Sequence, residues 1–417
     1  MSAGASQRRP LATLALAVGG VLCAGALLEL GSAALLPRLQ REAPPGALRE
    51  LSPERTRFEE LYLSEKILHP YLGYAANPED PRVNEHGLFG SDPLQPVAQG
   101  DAVVGIFGGS VAMSFLETQA QFLGALSRAG AFPERNIRLL HLALDGYKQP
   151  QQLILLTYLL GLGAHFDAVL NLDGFNEVAL PFAENLPAGV NPFYPRNWHL
   201  FAKKGFAPAV ARRAALVEQL AERRERWRTR LLGGPLGWSR SLRVFALWLD
   251  RRLYADWDRA IRGLEAGLAG ERNEFYDLGP ARAYATSDEL FADLARVWKE
   301  SSLQMARLCA ANGIAYFHFL QPNQYVPGSK PYSKAERETA ISGPGFDFRK
   351  AVEMGYPQLR DQGRVLRDAG VDFTDLSELF ADERETIYVD RCCHMNERGY
   401  HRMNDRIAEV ISRKTRS

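Results

Sequence analysis

Val103-Val104-Gly105-Ile106-Phe107-Gly108-Gly109-Ser110 is the stretch on which the reading of this chain turns. Four apolar side chains around a single glycine make a short buried-strand pattern, as suits a central parallel strand. Two glycines then break the run, and glycine allows the sharp exit that lifts the next side chain clear of the sheet edge. Ligands of open α/β sheets collect at the carboxyl ends of strands, so Ser110 stands where chemistry is usually found.

Outward from that stretch the pattern repeats. A helix is expected from Ser110 to about Ala129, and Ile137 to Leu144 reads as a second strand ending at Asp145-Gly146-Tyr147. A helix from about Gln149 to Leu160 leads to a third strand, Ala168 to Asp173, which ends at Gly174-Phe175-Asn176-Glu177. Much later, a helix from Ser287 to Ala311 precedes a fourth strand, Ile314 to Leu320, ending at Gln321-Pro322-Asn323-Gln324. A helix from about Phe348 to Ala369 precedes a fifth strand around Val371 to Thr374. Tyr388 to His394 is then a loop, and Asn396 opens a last helix that runs to about Arg413. Strand, polar turn, helix, in repetition, is the signature of a parallel sheet covered on both faces, and hence of the α/β class.

The chain of 417 residues is long enough for one large domain with insertions or for two. Lys plus Arg number 50 against 49 Asp plus Glu, so no basic field marks the chain as a nucleic-acid binder. Arg8 and Arg9 precede a run without charge from Pro10 to Leu28, then Glu29, then a second apolar piece from Ala33 to Leu36. About 20 apolar residues span a bilayer, so residues 1–36 read as a signal anchor with the arginines on the cytoplasmic side. Cleavage at Gly31-Ser32-Ala33 is the rival reading. Both export the bulk of the chain. Residues 37–70 read as a stalk, and 37–100 as stalk plus an N-terminal extension, with a loop and an edge strand around His69-Pro70-Tyr71-Leu72-Gly73-Tyr74.

Residues 101–417 then form the main domain, interrupted at about 181–285 by a helical insertion; all six tryptophans fall between 198 and 298. Arg212 to Arg230 is a helix with seven arginines against three glutamates, either a solvated face or a surface for anionic headgroups. Ser239 to Leu268 is a second helix, with Leu242, Phe245, Leu249, Leu253 and Trp257 at core-facing spacing. Its aromatics serve either as core or as stacking faces of a lid.

A serine hydroxyl is a weak nucleophile. It needs a base within reach, a carboxylate that holds the base in the right tautomer, and donors aimed at the developing oxyanion. His394, with Asp390 four residues before it, supplies the first two from one loop. The amides of Ser110 and Gly146 and the side chain of Asn176, at ends of neighbouring strands, supply the third. His318 reads as core and His401 as structural. Cys309, Cys392 and Cys393 either make one disulfide in an oxidising compartment or stay as buried thiols. No Cys/His spacing resembles a zinc site.

Gly108-Gly109-Ser110, Gly146, Gly174-Phe175-Asn176 and the Asp390 to His394 element, in that order, resemble the motif blocks of the SGNH (GDSL-like) hydrolases, over residues 100–412 less the insertion. The resemblance implies a flavodoxin-like three-layer α/β/α sandwich around a parallel five-stranded sheet. It also implies ester hydrolysis or acyl transfer without metal or cofactor. By it, Ser110 is the nucleophile, His394 the base and Asp390 its orienter, with Ser110, Gly146 and Asn176 as oxyanion donors. Two departures stand out: Asp390 is one residue further from His394 than is usual, and Gly109 replaces an aspartate found in many members. The expectation is a membrane-anchored esterase facing the periplasm and acting on an acyl ester of a cell-envelope glycan or lipid. An O-acyltransferase of envelope polysaccharide, or a catalytically silent glycan-binding or assembly protein, is the alternative.

Overall fold

The computed structural model describes residues 8–41, 65–206, 208–232, 239–269, 275–341 and 348–415; for 8–22, 40–41, 203–206, 208–211, 232, 265 and 267–269 it describes the backbone alone. The chain divides into two compact units, residues 1–62 with 203–272, and 63–202 with 273–417.

The larger unit is built on a five-stranded sheet. Its strands are β3 (Asp101–Gly108), β4 (Asn136–Ala143), β5 (Ala168–Asp173), β6 (Ala315–Leu320) and β7 (Asp372–Asp375). They lie in the order β4-β3-β5-β6-β7 and every neighbouring pair is parallel. All five were expected from the sequence, each within two residues at its ends. Strands β3 and β5 are buried almost throughout, which explains their unbroken apolar character. Helices between the strands complete an α/β architecture compatible with a three-layer sandwich.

Because the chain goes from β3 to β4 on one side and back to β5 on the other, the connections diverge at the carboxyl end of β3. That divergence opens a crevice. Register fixes its members: Gly108 is level with Ala143 on one flank and with Leu172 on the other. Gly108 itself has φ +145°, and a β-carbon there would lie 2.1 Å from the Leu172 carbonyl oxygen. Only glycine fits.

Two expectations are corrected here. The single helix expected over 110–129 is two helices, Ser110–Glu117 and Gln119–Ala129. Between them Thr118 leaves the helical region (φ −99°, ψ 16°); its hydroxyl donates to the Ser114 carbonyl (2.8 Å) and accepts from the Asn404 side-chain amide (2.9 Å). The stalk expected to reach residue 70 ends earlier, since β1 (Lys66–His69) pairs antiparallel with β2 (Gly73–Ala76). The imidazole of His69 accepts the amides of Tyr71 and Leu72, closing the turn. Tyr74 is fully buried and stacks on Phe201, with ring centroids 5.2 Å apart.

In the smaller unit, α1 (Arg8–Arg41) packs with a helical hairpin, Pro208–Leu232 and Arg240–Ala269. The part of the insertion outside the sheet unit is thus narrower than 181–285. A buried bidentate pair, Arg224 with Asp250 (2.7 and 2.9 Å), joins the hairpin, and Val217, Trp257 and Ile261 form its core. Of the expected core stripe, Leu253 and Trp257 are buried, but Phe245 is 47% exposed and lies against Trp248. Ala246, Leu247 and Asp250 are buried instead, Leu247 against Leu36 of α1 and Asp250 against Arg224. The run 10–22, which carries most of the expected membrane span, has its side chains outside the described residues. Among the described residues no helix is long and apolar enough to cross a membrane.

Candidate active site

Ser110 opens the helix that follows β3, and Gly109 precedes it as the cap. His394 Nε2 lies 2.8 Å from the Ser110 hydroxyl, and His394 Nδ1 lies 2.6 Å from Asp390 Oδ2. Three side chains expected to act together therefore form one unbroken chain of hydrogen bonds.

The residue added between Asp390 and His394 does not separate them. Asp390 Oδ1 accepts the amides of Cys392 (2.8 Å), Cys393 (3.1 Å) and His394 (3.3 Å), so the loop winds around the carboxylate. Burial pushes the Asp390 carboxyl up. The hydrogen bond and charge of His394, with the amides of Cys392 and His394, outweigh that, and its pKa ends below the ordinary value. It is held as the anion an orienting group must be.

The polar turn after β6 grips the same loop from outside. Gln324 donates to the Asp390 carbonyl (2.9 Å), Tyr325 to that of Arg391 (2.7 Å) and Asn323 to that of Cys392 (3.1 Å). Behind it, the buried Glu336 carboxylate accepts the amides of Ile387 and Tyr388, and is itself paired with Lys330 at 3.0 Å.

Asn176 sits at the end of β5, its side-chain amide donating to the Tyr147 carbonyl at 2.8 Å. That amide presses against the turn that carries Ser110: a β-carbon on Gly109 would lie 2.2 Å from Asn176 Nδ2. A side chain at 109 would therefore have to push the Asn176 amide aside. Gly146 takes a left-handed conformation, φ +78°, in the turn after β4. Leu144, whose amide donates to the Gly108 carbonyl, ties that turn to β3.

Sequence reasoning missed the groups that hold these turns. Buried Glu177 accepts the amide of Gly174 (2.7 Å) on Oε2 and that of Gln149 (3.0 Å) on Oε1, linking the Asn176 turn to the segment after Gly146. Burial, then the charge of Asp173, raises its carboxyl to about 8. Buried Lys66 reaches both oxygens of Asp145 at 2.9 and 3.1 Å, Tyr74 donates to the Asp145 carbonyl, and Tyr147 donates to the Tyr74 carbonyl. The β1–β2 hairpin thus braces the Gly146 turn. The only available signal was the aromatic content of residues 71–74.

Ser110 and His394 open on a cavity of about 610 Å³ whose lining includes Phe89, Met113, Leu144 and Tyr400. Its charged groups are five carboxylates against Lys66 and Arg82.

The remaining histidines lie elsewhere. His318 is fully buried between Ser302 (2.7 Å) and Asp173 (2.8 Å), and His401 stands 3.6 Å from Glu397 on the last helix. Cys309, Cys392 and Cys393 are free thiols, the last two with sulfurs 3.2 Å apart. Cys392, Cys393 and His394 are close enough to share a metal ion, as are Glu85, His86 and Asp92. In the first group, however, both His394 nitrogens already face Asp390 and Ser110.

In comparisons with known proteins, no family model matches the chain and no curated protein matches it.

Proposed function

We propose that the chain is a serine ester hydrolase of the SGNH type, on a flavodoxin-like three-layer sandwich, held at the membrane by residues 10–28 with the catalytic unit on the periplasmic side. The observation that carries this reading is the relay Ser110–His394–Asp390, at 2.8 and 2.6 Å, opening into a cavity.

In this mechanism Ser110 Oγ attacks the ester carbonyl while His394 Nε2 takes its proton. Asp390 fixes the ring and stabilises the imidazolium that forms. The oxyanion is received by the amides of Ser110 and Gly146 and by the side chain of Asn176. As the intermediate collapses, His394 returns the proton to the departing alcohol, leaving Ser110 acylated. Water, deprotonated by His394, then releases the acid; a sugar hydroxyl in its place would make the same site a transferase. The excess of carboxylates around the cavity favours esters without negative charge, such as an acyl group on a neutral glycan.

Turnover of p-nitrophenyl acetate by the wild type and by Ser110→Ala tests this. The substitution removes one oxygen at a half-exposed site, so the variant is expected to fold, by circular dichroism, and to lose activity. Full turnover by a folded Ser110→Ala excludes the mechanism.

A further inference from the structure

The smaller unit contributes nothing to the relay, yet its surface is sharply graded along its length. Label the hairpin helices α2 (Pro208–Leu232) and α3 (Arg240–Ala269). Glu29 of α1 accepts the Ser239 hydroxyl and the amides of Arg240 (2.9 Å) and Ser241 (3.2 Å) at the start of α3. Seven residues further along each helix, Leu36 packs on Leu247. The two helices therefore ascend together from the level of Glu29, where the uncharged run 10–28 ends. Helix α2 returns beside α3, pinned by Arg224 to Asp250. That register brings Arg230 to roughly 6 Å, four residues of helical rise, from the level of Arg240.

Charge follows the same axis. Residues 223–232 and 239–252, within about 18 Å of that level, hold eight arginines outside the buried Arg224–Asp250 pair, against Glu225. The distal parts, 208–222 and 253–269, hold four arginines against five acids. The proximal end also exposes Trp227, Phe245 and Trp248, with Arg252 over the Trp248 ring at 4.4 Å and Arg230 over that of Trp227 at 5.9 Å. On α1, Leu27, Leu28 and Leu30 are at least 65% exposed at the level of Arg240, about 8 Å along the axis from Phe245 and about 12 Å from Trp248.

We propose that the proximal ends of α2 and α3 form a foot that seats on the headgroups of an anionic phospholipid bilayer, beside the point where α1 leaves it. Arginines meet lipid phosphates, and aromatic rings settle at the boundary of headgroup and hydrocarbon. Leucines exposed at the level where the anchor ends, within about two helical turns of the basic and aromatic side chains, favour lipid as the occupant over a protein. The inference rests on the reading of residues 10–28 as a membrane span.

The test uses the full chain in nanodiscs of phosphatidylcholine with a minor fraction of phosphatidylglycerol, with p-benzoylphenylalanine in place of Phe245 or, as control, of Leu216, an exposed distal side chain. Photolysis is expected to give lipid adducts at 245 and none at 216. Phosphatidylglycerol should be enriched over its mole fraction roughly fivefold. Arg230→Glu with Arg240→Glu should abolish that enrichment; Arg230→Gln with Arg240→Gln, the milder pair, should reduce it. Absence of adducts at 245, equal adducts at 216, or no preference for phosphatidylglycerol overturns the foot. Alkaline carbonate extraction separates this from the anchor: release of the chain overturns the anchor reading and the foot with it, whereas a retained chain without adducts at 245 overturns the foot alone.

Discussion

Asp390 and His394 face each other at 2.6 Å across three intervening residues, because the amides of Cys392, Cys393 and His394 fold back onto the other Asp390 oxygen. One carboxylate thus shapes the loop and holds the His394 ring. Asp390→Asn keeps the size but offers an amide where His394 Nδ1–H needs an acceptor. It is expected to lower kcat by roughly 10⁴-fold with little change in KM, as steady-state kinetics on a p-nitrophenyl ester would show.

Gly109 and Asn176 form a second pair. A methyl group at 109 displaces the Asn176 amide, which is the free end of a side chain and can move without unfolding the turn. Gly109→Ala should therefore cost activity more than stability, and Asn176→Ala should cost about 10²–10³ in kcat. The double variant should be no worse than Asn176→Ala alone, since both remove one donor. Additive losses in that cycle would separate the two effects.

The carboxylates around the cavity predict a charge preference. A neutral acetyl or butyryl ester should turn over faster than a succinyl ester of the same alcohol, and added salt should narrow the difference by screening. Measuring kcat/KM for both at low and high ionic strength checks this.

His141 gives the stability of the sheet unit a pH dependence. Burial pushes its imidazole down to about 4 from an ordinary value near 6.5. Between those values the unfolded chain binds the proton and the folded one does not, so stability falls as pH drops through that window. His141→Leu should flatten the decline in melting temperature between about pH 7 and about pH 5.

Much of this was legible in the residues. The strands announce themselves because a parallel sheet buried on both faces needs continuous apolar runs, and the turns that carry Ser110, Gly146 and Asn176 follow from where those runs end. The hairpin of Lys66 and Tyr74 was not legible. Its strands are four residues each, and what fixes them is contact with Asp145, Tyr147 and Phe201, far away in the chain. The face of the Arg240–Ala269 helix was misjudged for a related reason. Hydropathy assigns Phe245 to the inside, whereas the buried positions go to Leu247, against Leu36 of α1, and to Asp250, paired with Arg224. Thr118 likewise looks like one more helical residue until Asn404, 286 positions later, is seen donating to its hydroxyl.

The claim on which the account depends is that Ser110 is an activated nucleophile, and a fluorophosphonate probe reads that directly. One phosphonyl adduct is expected on the tryptic peptide containing Ser110, formed rapidly in the wild type, lost in Ser110→Ala and strongly slowed in His394→Ala. A folded wild-type chain that takes no label, or one labelled equally well without His394, contradicts it.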